Sequence, residues 1–124
     1  MKLIKTISLL ILVIFFNACS EINISEIIDV NKSLELYIKL DKKENISVNS
    51  VKWKKIMRFA TENSKNWKKT PASFISDITI IQNDFRLLYW IERNYVVIGF
   101  IDKNGNAKQF QKKIKKGALD FLIE

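Results

Sequence analysis

Histidine is missing from this 124-residue chain, and cysteine occurs once, at Cys19. A disulfide needs a second thiol, a structural zinc site needs several nitrogen or sulfur ligands, and a Ser-His-Asp triad needs an imidazole, so all three are excluded. Three glycines and a single proline, Pro71, leave few breaks in the chain, which points to regular elements joined by short turns rather than a low-complexity polymer. Acidic residues are also scarce, 13 against 21 Lys and Arg, for a net charge of +8.

What is present is enough for one packed domain. Hydrophobic residues make up 48% of the chain and aromatics 11%, above what a disordered polymer carries. The basic excess is uneven. Residues 20–51 hold six acids and four lysines, whereas residues 52–124 hold fifteen Lys or Arg and seven acids.

The amino end has its own order. Lys2 and Lys5 precede a ten-residue run, 7–16, that is apolar except for Ser8. A spanning helix needs about 20 apolar residues, so this run suits a short signal segment better than a permanent anchor. Phe16-Asn17-Ala18-Cys19 resembles the lipobox of bacterial lipoproteins, with a small residue before the cysteine. The resemblance implies removal of residues 1–18, diacylglyceryl modification of Cys19 and a membrane attachment through acyl chains such as palmitate. Ser20 in place of aspartate favours the periplasm-facing outer membrane over the inner membrane. Cleavage would leave 19 basic residues against 13 acids, so the basicity belongs to the folded body.

Residues 19–32 read as a lipidated tether able to dock on the body, because Ile22, Ile24, Ile27, Ile28 and Val30 are apolar but follow no clean period. Residues 33–124 read as one small α+β domain. Leu34, Leu36, Ile38 and Leu40 alternate with Glu35, Tyr37 and Lys39, the period of a strand with one buried face, and residues 41–49 read as a loop. Trp53, Ile56, Met57 and Ala60 then recur at helical spacing over residues 50–66, with Asn49 or Ser50 as the cap.

Four strand-like runs follow, 74–81, 85–91, 95–101 and 107–112, separated by Asn83-Asp84, Arg93-Asn94 and Asn104-Gly105. The last pair suggests a two-residue hairpin turn. The expected fold is therefore one amphipathic helix on a mainly antiparallel sheet, in the order strand, helix, four-strand meander. A short apolar segment, Ala118 to Ile123, closes it as a helical turn or edge strand.

Functional signals are few. Lys54, Lys55 and Arg58 share the polar arc of the helix, and Lys112 and Lys113 belong to a second basic run. Both fit an anionic surface or acidic partner, and both also fit solvated faces, the second as the guarded edge of a sheet. Nucleic acid is an unsuitable partner for an exported chain that carries no recognised binding motif.

The run 85–91 places Phe85, Leu87, Tyr89 and Ile91 on one face and Leu88 and Trp90 on the other. If the second face is open, Trp90 flanked by Arg86 and Arg93 is the natural anchor for a protein partner. Asp102 to Asn106 makes a poor calcium loop, since the twelfth position is Lys113 where a glutamate belongs. No nucleophile, acid or base constellation can be named, and no catalytic residue, cofactor, metal ligand or small-molecule substrate is assigned. The expected role is a lipid-anchored, non-catalytic protein-binding module, such as an immunity or inhibitor lipoprotein. The alternative is an accessory subunit of an envelope or secretion complex.

Overall fold

Apolar side chains at helical spacing within residues 51–62 dictate the one long helix among the described residues. In the computed structural model, which describes residues 19–71 and 75–124, helix α2 spans Val51–Glu62. Ser50 caps it, its hydroxyl accepting from the Trp53 N–H at 3.2 Å. Trp53, Ile56, Phe59 and Ala60 are buried, and the three large ones contribute roughly 2–3 kcal/mol each by leaving water.

The helix stops at Glu62, short of the expected Asn66. Asn63 turns its backbone N–H and its side-chain amide onto the Phe59 carbonyl. The Trp67 indole then donates to the Asn63 carbonyl at 2.7 Å, while Ile22 N–H takes the Ser64 carbonyl. These bonds draw the chain out of the helical path.

The fold is α+β, and its sheet has seven antiparallel strands rather than the expected five. They are β1 Leu34–Ile38, β2 Asp41–Ile46, β3 Lys68–Lys69, β4 Ile78–Gln82, β5 Phe85–Trp90, β6 Tyr95–Ile101 and β7 Ala107–Lys113. Their spatial order is β2-β1-β4-β5-β6-β7-β3. The expected loop 41–49 is thus largely β2. Its sequence DKKENI shows no apolar alternation because it is an edge strand with one buried residue, Ile46, and charges blunt such edges against further pairing.

Strand β1 ends at Ile38, since Lys39 has φ +53° and turns the chain into β2; Leu40, expected inside the strand, is 78% exposed at that turn. Phe74, the expected start of β4, lies outside the described residues, as does the whole signal segment 1–18. The β6–β7 connection is a five-residue loop rather than a two-residue turn. Asp102 Oδ1 accepts from the Asn104 and Asn106 N–H groups, and only Gly105, at φ +80°, takes the left-handed conformation there.

Residues 19–32 do not hang free. Ser20 forms an antiparallel bridge to Trp67, and a one-turn helix, α1 Ile24–Ile27, packs on α2 with Ile24 and Ile28 buried. Gln82, buried at the end of β4, clasps the next stretch. Its Oε1 accepts from Asp29 N–H at 2.6 Å and its Nε2 donates to the carbonyls of Asp29, Lys32 and Ser33.

The C-terminal segment closes the core as a 3-10 turn, Asp120–Ile123, with Leu119 and Leu122 fully buried. Tyr89 ties it down by donating to Asp120 Oδ1 at 2.9 Å. One face of the sheet is thereby covered by α2, the amino-terminal segment and this turn. Among the described residues no helix is long and apolar enough to cross a membrane.

Candidate functional site

Strand pairing fixes which side chains share the uncovered face. Tyr37 lies opposite Thr79, Thr79 opposite Leu88, Leu88 opposite Val97, Val97 opposite Gln111, and Gln111 opposite Lys68. A second row runs Glu35, Ile81, Arg86, Gly99 and Gln109. No residue of either row belongs to the main hydrophobic cluster, although Val97 is itself buried. Gly99, between Arg86 and Gln109, leaves a dip in the surface, and the shallow groove there holds about 550 Å³.

Its walls are mixed in chemistry. Ile81 and Leu88 are half-buried, Arg86 is exposed, and Ile75 and Ser76 overhang from the segment that enters β4. At the β1 end, Tyr37 donates to Glu35 Oε2 at 2.8 Å, and Glu35 Oε1 lies 3.7 Å from Lys42 Nζ. The hydrogen bond to Glu35 raises the Tyr37 phenol above its ordinary range. The groove therefore offers apolar contact in the middle, a cation at Arg86 and a fixed polar end.

Trp90 shares this face but is not freely presented. It is 8% exposed, stacked on Tyr95 with centroids 4.8 Å apart, and its indole N–H donates to the Ile75 carbonyl at 3.0 Å. Arg93 is exposed on the β5–β6 turn, where it and Trp90 border a separate hollow with Asp77 and Glu92. Of the three expected anchor residues, Arg86 alone lines the groove.

Comparison with protein-family models, curated proteins and solved structures finds no match.

The expected basic surface divides in two. Lys54, Lys55 and Arg58 are exposed on α2; Lys55 Nζ sits 5.5 Å from the centre of the Phe121 ring, and Lys55 and Arg58 share a hollow with Lys115. Lys112 and Lys113 instead line a hollow of about 510 Å³ with Lys68, Asn66, Gln111 and Tyr95. Burial lowers the Lys112 ammonium below its ordinary pKa.

Tyr37, Thr79 and Ile81 were not legible as groove residues, because their partners are fixed by pairing between strands about 40 residues apart. The usable signal is β5, where Arg86 and Leu88 fall between the three core residues Phe85, Leu87 and Tyr89. Cys19 is exposed and adjoins the Ser20–Trp67 bridge.

Proposed function

We propose that this chain is a lipid-anchored envelope protein, cut before Cys19, whose domain binds and neutralises a toxin or envelope enzyme without catalysing a reaction. The observation that carries the reading is the one-sided cover of the sheet. One face is packed by α2 and the two terminal segments, while the other keeps a groove in which half-buried Ile81 and Leu88 and buried Val97 lie beside Arg86. Arginine and tyrosine are among the residue types that carry most binding energy at protein interfaces, and Arg86 and Tyr37 both line this groove. Anchoring through acyl chains on Cys19 rests on the lipobox-like residues, and two or more chains make such attachment stable.

The test is genetic and uses the full chain. Cells lacking the gene should be killed by a toxin encoded beside it and rescued by the wild-type chain, but not by a chain carrying Leu88→Asp and Arg86→Glu. Arg86 is exposed and Leu88 half-buried outside the main core, so the paired variant should still unfold cooperatively, at a midpoint lowered by Leu88→Asp. Full rescue by the variant would refute the groove as the binding face. Cys19→Ser should abolish acyl labelling, and labelling that persisted would refute the anchor.

A further inference from the structure

Ser20 places Cys19 at one particular edge of the sheet. Its N–H donates to the Trp67 carbonyl at 2.7 Å and its carbonyl accepts from the Trp67 N–H at 3.0 Å. Two residues on, the Ile22 N–H is bonded to the Ser64 carbonyl at 2.7 Å. Trp67 directly precedes β3, the edge strand beside β7. A residue spans at most about 3.6 Å of chain, so Cys19 cannot swing far from that edge.

The same edge is basic. Lys65, Lys68, Lys69, Lys112 and Lys113 lie on β3, on β7 or just before β3, and none of them forms an ion pair among the described residues. Lys112 Nζ is held against the Lys65 carbonyl at 2.6 Å. Lys68, Lys112 and Lys113 surround the hollow lined by Tyr95, Gln111 and Asn66. Ammonium and amide donors suit phosphate oxygens, and a tyrosine ring suits the boundary between headgroups and water.

We infer that the β3–β7 edge docks on anionic phospholipid headgroups, the hollow between Lys68, Lys112 and Lys113 taking a headgroup phosphate. The inference rests on the anchoring reading for the side of the molecule that meets the membrane. Lys43, on β2 at the opposite edge of the sheet, stays in solvent.

The test is amine-labelling footprinting of the full chain in vesicles of phosphatidylcholine, with and without phosphatidylglycerol. Each basic residue against an anionic surface gains roughly fivefold in local affinity, so labelling of Lys68, Lys112 and Lys113 should slow by about that factor with phosphatidylglycerol. Lys43 should not change. In the variant Lys68→Glu with Lys113→Glu, Lys112 should label at one rate in both vesicles.

Equal labelling of the three lysines in both vesicles overturns the inference. So does equal protection by inorganic phosphate over phosphatidylcholine alone, which would make the hollow a site for free phosphate. The intact mass of the same sample separates the two readings. Acylated Cys19 with uniform labelling overturns the docking edge alone, whereas unacylated Cys19 with protected lysines overturns only the lipid anchor. Unacylated Cys19 without protection overturns both.

Discussion

Replacing Trp90 separates a partner-binding anchor from a folding contact. A buried tryptophan removes about 150–250 Å² from water, equivalent to roughly 4–6 kcal/mol as an upper bound, and Trp→Ala changes in cores cost about 3–5 kcal/mol. Trp90 is 8% exposed, stacked on Tyr95 and bonded to the Ile75 carbonyl, so Trp90→Ala should fall in that range. Trp90→Phe keeps an aromatic ring opposite Tyr95 and loses the indole donor. The Ile75 carbonyl then loses its indole donor, and the expected loss is about 1–2 kcal/mol. Urea unfolding of the full chain, followed by far-ultraviolet circular dichroism, reads both values without relying on tryptophan emission. A Trp90→Ala protein within about 0.5 kcal/mol of wild type would refute the packing role, because surface substitutions behave that way.

Two further perturbations follow from polar contacts. Gln82→Glu turns a carboxylate toward three carbonyl oxygens that the amide now donates to, and should cost about 2–3 kcal/mol at neutral pH, with faster amide exchange over residues 29–33. Unchanged exchange there would remove the clasp. Tyr89 is pushed up to about 12, first by burial and then by its hydrogen bond to Asp120. A raised phenol stabilises the fold fully below pH 10, and that stabilisation disappears as pH climbs through 12, at most about 2.7 kcal/mol for two units. The stability advantage of wild type over Tyr89→Phe should therefore shrink from pH 10 to 12 in paired unfolding curves; a constant difference would contradict the assignment.

Legibility in the sequence followed the amount of periodic apolar burial. Helix α2 was readable because Trp53, Ile56 and Ala60 recur on one arc, and β5 because Phe85, Leu87 and Tyr89 alternate with Arg86 and Leu88. Strands β2 and β3 were not, since edge positions ask only for backbone pairing and DKKENI and Lys68-Lys69 supply it without apolar alternation. The docking of residues 20–28 rests on Ile24 and Ile28, one helical turn apart, a pair too short to show a period. The Gln82 clasp joins residues about 50 positions apart, and a polar residue closing an apolar strand carries no mark of its partners. Trp90 was legible as the outer-face aromatic of β5. Its cover was not, because that depends on where the chain passes at Ile75.

The order of the strands becomes a scale of height once the Ser20–Trp67 bridge is set beside a bilayer. A lipid on Cys19 would put β3 at the base and β2 at the summit, six spacings of about 4.8 Å above it, or roughly 29 Å. The sheet then stands as a wall rather than lying as a floor, its right-handed twist swinging the upper strands progressively away from the direction of the lower ones. The groove would then open sideways at mid-height. A molecule entering it would travel alongside the membrane, and the charged β2 crest would be the first part met by anything arriving from above.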